Sequence, residues 1–237
     1  METQQGLSYA RNRGIREAKN EILVFIDDDA IAEPGFLQNI HDHMITHEHV
    51  AGGGQVVAKF ETAIPKWYNR YSASMFCSEH RRGNSNKIYK SGDYPFGCNM
   101  IFHKSIFDEV GLFDVALGRK GKNLLGGEEK DIFTKIQKLG HPIFYLADAL
   151  VHHCIDDYRL ADDYVDRLSL SLGKTHSYLY KSKGRFAFIK GGILIAAKFV
   201  FSIILAIGYA FMLRFSVAGH LIKWRFLSMK GYFFPSE

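Results

Sequence analysis

The sequence predicts an α/β domain whose mixed, mostly parallel sheet is flanked by helices, followed by an apolar, basic helical region at the C-terminus. Three observations predict this. Short apolar runs alternate with segments of helical periodicity. Charge divides unevenly along the chain. One 23-residue stretch, 191–213, carries Lys198 as its only charge.

The net charge of +5 over 237 residues conceals that division. From Lys174 onward ten Lys or Arg stand against one acid, which leaves 20 basic and 24 acidic side chains over residues 1–173. Two regions are expected, an acidic α/β domain over 1–173 and a basic, apolar, membrane-associating helical region over 174–237. The acidic part suits a cation-dependent site, and the basic, apolar part suits an anionic membrane surface. Cys77, Cys98 and Cys154 are far apart and form no CxxC pair, so free thiols are expected rather than a disulfide framework or zinc knuckle. Residues 1–20 are polar and lack the apolar centre of a signal peptide.

Residues 10–20, rich in Arg, Lys and Glu, read as a helix. The run EILVFI at 21–26 reads as a buried strand of a mostly parallel sheet, closed by three aspartates. Glu33, Pro34 and Gly35 open a helix to about His47, with Pro near its first turn. Three glycines at 52–54 are expected to break the chain before a strand over 55–60. The polar, aromatic stretch 61–95 reads as a surface excursion over a ligand site. A strand is expected over 97–103 and a helix over 105–110. After a Gly- and Lys-rich loop at 118–127, a helix begins at Glu128 and ends at Gly140. Its acids lie in the first turn and its lysines in the last, as the helix dipole favours. Extended segments follow at 142–146 and 149–152. The 191–213 stretch is long enough to span a bilayer, though a helix lying in the interface satisfies the same pattern.

Three constellations carry chemistry. Asp27, Asp28 and Asp29 at the end of an apolar strand repel one another, and a divalent cation removes that cost. Alternation along the segment turns Asp27 and Asp29 to one side, which makes them the working pair. Glu128 and Glu129 follow a glycine loop at a helix start, where a general base is feasible but where acids are also common for dipole reasons alone. His152 and His153 end an apolar strand, and one imidazole is placed to complete a metal site or to meet a phosphate. The cluster His41, His43, His47 and His49 reads as a solvated helix face, because no HExxH-like partner accompanies it.

In combination these pieces resemble glycosyltransferase family 2, the inverting GT-A transferases, over about residues 6–180. The likeness rests on GLSYARNRGIREAKNEILVFIDDD at 6–29, the Pro34-Gly35-Phe36-Leu37 helix start, GCNM at 97–100, LGRKGKNLLGGEEKD at 117–131, and the segment ending in His152-His153. The resemblance implies roles. Asp27 to Asp29 take the place of the DxD motif, with Asp29 on a Mg²⁺ or Mn²⁺ ion at the donor diphosphate and Asp27 facing the nucleoside. Asp28, Arg11 and Asn12 belong to the donor-binding segment. Glu129, beside Glu128, is the base that deprotonates the acceptor, and His152 or His153 lies near the metal.

The implied partners are a nucleotide-sugar donor, a glycan or lipid-linked acceptor and a membrane surface. No nucleic acid is expected. The implied setting is cell-surface polysaccharide synthesis at the cytoplasmic face of a bacterial inner membrane, with the chain peripheral or single-span. Family members begin with a strand, a helix and a second strand, and only five residues precede Gly6 here. The chain is therefore expected to lack that part of the GT-A sheet and to be inactive or barely active as it stands. The alternatives are an inactive membrane-bound binding protein and a phosphatase of the haloacid dehalogenase type.

Overall fold

A computed structural model of the chain describes residues 2–235, which divide into two units. The first comprises residues up to 60, 77–118 and 128–155, and the second comprises 61–76, 119–127 and 156 onward.

The first unit runs α1 (Leu7–Glu17), β1 (Ile22–Phe25), β2 (Ala30–Ala32), α2 (Phe36–Thr46) and β3 (Ala51–Phe60). It belongs to the same chain order as α3 (Arg70–Phe76), which lies in the second unit, and continues with β4 (Lys87–Ile88), β5 (Met100–His103), α4 (Ile106–Val110), α5 (Glu128–Lys138) and β6 (Ile143–Ile155). The sheet order is β1-β5-β3-β6-β2, with β4 also on β6. The sheet is mixed, as expected, but β3 with β6 is its parallel pair and the other pairings are antiparallel. The apolar runs were misleading about direction for a physical reason: they report coverage of both faces, and antiparallel strands covered on both faces read the same way. Along β5, Met100 and Phe102 pack with Ile15 of α1, Ile106 and Phe107 of α4 and Ile132 and Phe133 of α5. Ile101 points the other way, to Phe36 and Ile40 of α2. Strand β1 pairs with β5 along one edge, so Leu23 is buried while Ile26 is 42% exposed.

The glycines at 52–54 lie inside β3 rather than breaking it. A Cβ at Gly52 would come 2.4 Å from Phe144, and one at Gly54 would come 1.9 Å from the Ala149 carbonyl oxygen. Glycine is needed because neighbouring chain presses on the strand. The two extended segments expected at 142–146 and 149–152 are one strand, β6, with an irregularity. Gly54 pairs with Leu146, and the next residue, Gln55, pairs with Leu150.

In the second unit α6 (Asp157–Leu160), α7 (Asp162–Lys181), α8 (Arg185–Phe211) and α9 (Phe215–Phe233) follow one another. The boundary expected at 173 falls inside α7. There, Cβ atoms at Gly173 and Gly231 would strike the carbonyl oxygens of Ser228 and Leu170, so the backbones of α7 and α9 touch. Residues 61–76, expected as part of a surface excursion, include α3 and pack on α9: Trp67 meets Trp224 edge-on at 5.1 Å, and Phe76 meets it at 4.4 Å. Helix α8 is long and apolar enough to cross a membrane by length and composition, and most of it is uncovered within the chain.

Gly54→Ala is expected to lose about 3 kcal/mol of stability, the upper range for forcing atoms into a packed interior. Gly14→Ala, which meets nothing within 4 Å in the middle of α1, is expected to gain about 0.5–1 kcal/mol. Urea unfolding of the two variants measures both.

Candidate active site

Asp27 follows β1 and opens a turn in which the Ala30 N–H donates to the Asp27 carbonyl at 3.1 Å. Strand β2 then runs antiparallel to β6, with Ala30 opposite His153 and Ile31 opposite His152. The Cys154 N–H donates to the Asp29 carbonyl at 2.8 Å, which extends this pairing back to the aspartates. The register decides which histidine they meet. His153 is buried, its Nδ1 lies 2.9 Å from the Cys77 carbonyl oxygen, and its Nε2 lies 3.3 Å from Asp29 Oδ1. A carbonyl only accepts, so Nδ1 carries the hydrogen and Nε2 is the nitrogen turned to the carboxylate. His152 faces the opposite way and makes a very short contact with the Glu33 carboxylate.

The other half of the site is gathered by Arg11, buried on α1. One guanidinium nitrogen donates to Glu128 Oε1 at 2.8 Å and lies 4.0 Å from Glu129 Oε1. The other lies 3.6 Å from Asp27 Oδ1 and donates to the Gly97 carbonyl at 3.3 Å. Thus α1, the end of β1, the loop before β5 and the start of α5 meet on one cation. Gly97 leaves room for this, because a Cβ there would sit 2.4 Å from Glu129 Oε1 and 2.5 Å from the guanidinium. The sequence reading placed Gly97 at a strand start and missed this role; its position in the GCNM segment was the available signal.

Glu128 and Glu129 differ sharply. The Glu128 side chain is 2% exposed and that of Glu129 is 23% exposed. Burial pushes the Glu128 carboxyl up to about 7, Glu129 adds to the shift, and Arg11 opposes it. Its Oε2 has no hydrogen-bond partner among the described residues. Glu128 is therefore an internal anchor, and Glu129 is the carboxylate open to a substrate. Asp27 is also raised, first by burial and then by Asp29 and Glu129, with Arg11 pulling the other way.

Asn12 lies below the site instead of facing a ligand. Its Nδ2 donates to the Phe113 carbonyl and its Oδ1 accepts from the Phe113 N–H, both at 2.9 Å. Asp28 is exposed and lines, with Asp27 and Arg11, a cavity of about 570 Å³ between α1 and β1. His43 is not part of a solvated face: it stacks on His47 at 4.4 Å and on His49 at 5.2 Å, and burial lowers its pKa to about 4.

A divalent cation fits the donor set in a particular way. Among the described residues no three His, Cys, Asp or Glu groups form a closed cage. Asp29 and His153 offer a carboxylate and an imidazole at one point, with Asp27 nearby in charge. Such a partial set suits Mg²⁺ or Mn²⁺, which complete their shell with water and substrate phosphate oxygens.

Residues 1–111 match the sequence model described as glycosyl transferase family 2. Over those residues the chain is similar to that family. This replaces the phosphatase alternative. The match ends before α5, so Glu128 and Glu129 rest on the geometry above. Glucosyl-dolichyl phosphate glucuronosyltransferase of Haloferax volcanii is 29% identical to this chain over 167 residues, 68% of this chain and 51% of that protein. The succinoglycan biosynthesis protein ExoM of Rhizobium meliloti is 24% identical over 183 residues, 75% of this chain and 54% of that one. The chain spans about half the length of these curated relatives. Mannosyltransferase PcManGT from Pyrobaculum calidifontis, solved with GDP-Man and Mn²⁺, is 16% identical, with a TM-score of 0.59 over 99% of this chain and 68% of that one. That likeness shows the fold: an α/β GT-A-like domain with a mixed sheet flanked by helices.

The raised Glu128 carboxyl gives a pH prediction. Its folded value of about 7 exceeds the ordinary 4.5, so the folded state holds more protons between those two values. This group's contribution therefore favours folding below that window and is lost as pH rises through it, at about 1.4 kcal/mol per pH unit at most. Glu128→Gln is expected to remove this slope when denaturant midpoints are compared between pH 4.5 and 7. A wild-type slope that persists unchanged in the variant contradicts the assignment.

Proposed function

We propose that this chain carries the site of an inverting glycosyltransferase, which moves a sugar from a nucleoside diphosphate donor to a hydroxyl of a glycan or lipid-linked acceptor. One observation carries the reading. Arg11 draws Asp27, Glu128 and Glu129 to one point, with Asp29 and His153 beside it, although Arg11 and Glu128 lie 117 positions apart. The family 2 match and the two curated relatives support it.

In this reading Glu129, the more open carboxylate, takes the proton from the acceptor hydroxyl. The acceptor oxygen bonds to the anomeric carbon as the bond to the diphosphate breaks on the opposite face, so the configuration inverts. Asp29 and His153, with Asp27, would hold a Mg²⁺ or Mn²⁺ ion, which when bound would supply Lewis-acid stabilisation of the diphosphate leaving group. The hydrogen bond from His153 to the Cys77 carbonyl fixes the ring and keeps Nε2 toward Asp29. Arg11 keeps the acidic groups together and lines the same cavity as Asp27. Asp28 sits at the rim of the α1–β1 cavity and is assigned to the donor side. The exposed apolar α8 and the basic C-terminal third hold the site at the cytoplasmic face of a membrane where surface polysaccharide is made.

Calorimetry with a nucleoside diphosphate is expected to show binding that requires Mn²⁺ and disappears in Asp29→Asn. Glu129→Gln is expected to keep that binding and to lose about 10²–10⁴-fold in turnover, the usual contribution of a general base. Metal-dependent binding without turnover in the unmodified chain returns the binding-protein alternative. Loss of nucleotide binding in Glu129→Gln contradicts its role as the base.

A further inference from the structure

Helix α8 has two opposite faces. On one, Gly191, Gly192, Ile195, Ser202 and Ala206 are buried. Helix α9 covers this face: Cβ atoms at Gly191 and Gly192 would meet Tyr232 at 2.5 Å and Phe233 at 3.1 Å. On the other face Ile189, Ile193, Val200, Ile204, Ile207 and Phe211 are each half exposed or more. They recur at intervals of three, four or seven residues, so they form one continuous stripe. At the rise of an α-helix the stripe is about 33 Å long. Lys198, the only charge from 191 to 211, stands outside it.

The neighbours of α8 decide how such a stripe can meet a bilayer. Helix α9 runs antiparallel along α8, with Gly192 beside Phe233 and Phe199 facing Phe226 at 6.4 Å. Helix α7 lies on α9 in turn, where Lys223 meets Asp166 at 2.7 Å. Phe199 adjoins the middle of α8 (Arg185–Phe211), and Lys223 is less than one turn from Phe226. The Lys223–Asp166 pair is therefore level with the middle of α8. Its lysine is 48% exposed, and Asp163 and Arg167, within a turn of Asp166, are more open still. An α8 that crossed a bilayer in this arrangement would carry all four charges to mid-depth, where a charge is most costly. The stripe faces away from α9. An α8 lying flat therefore buries the stripe and leaves these charges on the water side.

Charge identifies what covers the stripe. Residues 182–234 carry eight Lys or Arg and no acid. Exposed Lys183, Arg185 and Lys190 stand at one end of α8, and exposed Arg214 follows the other. A second copy docked stripe to stripe would bring these like charges together, whereas anionic headgroups neutralise them. We propose that α8 is an in-plane membrane helix: its Ile189–Phe211 stripe sinks into the acyl boundary of an anionic bilayer along its whole length, and the helix does not cross. This rests on the membrane attachment proposed above and fixes its geometry.

Depth measurements on the full chain test this without donor or acceptor. Ile189→Trp, Val200→Trp and Phe211→Trp are each bound to phosphatidylcholine–phosphatidylglycerol vesicles that carry nitroxide labels at shallow or deep acyl positions. Trp67 and Trp224 are buried and supply a constant background. All three new tryptophans are expected at one shallow depth, about 5–10 Å into the headgroup–acyl boundary. Val200→Trp at the bilayer centre, with the other two nearer its surfaces, overturns the proposal in favour of a span. A vesicle-bound chain in which neither label quenches any of the three overturns it in favour of a stripe covered by protein. Vesicle sedimentation adds a second readout. Ile193→Glu/Ile204→Glu is expected to lose about tenfold or more in partitioning. Leu37→Glu/Ile45→Glu, which changes equally exposed positions on α2, is expected to lose little. Equal losses in the two pairs overturn the assignment to α8. Absence of wild-type binding to either vesicle overturns the membrane attachment itself, whereas binding with a stepped depth profile overturns only the in-plane geometry.

Discussion

A buried guanidinium holds the sheet-bearing unit of this molecule together. Arg11 cannot lose its charge, and leaving it uncompensated inside the fold would cost several kcal/mol. Its partners come from three other segments: Asp27 after β1, the Gly97 carbonyl before β5, and Glu128 at the start of α5. Each of those carboxylates is in turn acceptable where it stands because the cation is there. Helix, strand end, loop and second helix are thus coupled through one group. The more exposed Glu129 and the Asp29–His153 pair are positioned on a frame that is already closed electrostatically.

Much of the secondary structure was legible from periodicity. Helix α5 runs from Glu128 nearly to Gly140 because acids, apolar spacing and lysines all agree on its ends. Strand direction was not legible, since an apolar run such as MIFH in β5 reports two covered faces and nothing about its neighbours. The glycines of β3 read as a break because intrinsic preference says so. Only the closeness of Phe144 and Ala149 reveals why a strand tolerates, and needs, three of them. The aromatic stretch around Trp67 read as exposed for a similar reason: its partner, Trp224, lies more than 150 residues away, and no local pattern announces it.

The site itself was partly legible. The triple aspartate stands out as chemistry, whereas the pair of glutamates reads equally as an ordinary helix start. Which member of each doublet acts is a matter of register and burial, and a single sequence does not carry these. Glu128 and Glu129 differ by one position on a helix and by the whole distance from interior to cleft. Asn12 was assigned to the donor-binding segment by the family resemblance of residues 6–29. Helical geometry turns it instead to Phe113, where its amide satisfies a backbone pair.

The irregularity in β6 has a wider consequence. Before it, Phe144 and Leu146 face α2; after it, Ala149 and Val151 do, so the strand changes from even to odd phase. The three inserted positions work like a phase shift in a two-beat rhythm, and they decide that residue 153 instead of 152 falls on the buried beat beside Asp29. A lineage that gained or lost one residue between 147 and 149 would exchange the two imidazoles without altering either. For two neighbouring histidines, function is then inherited through the length of a short segment as much as through the identity of the side chains.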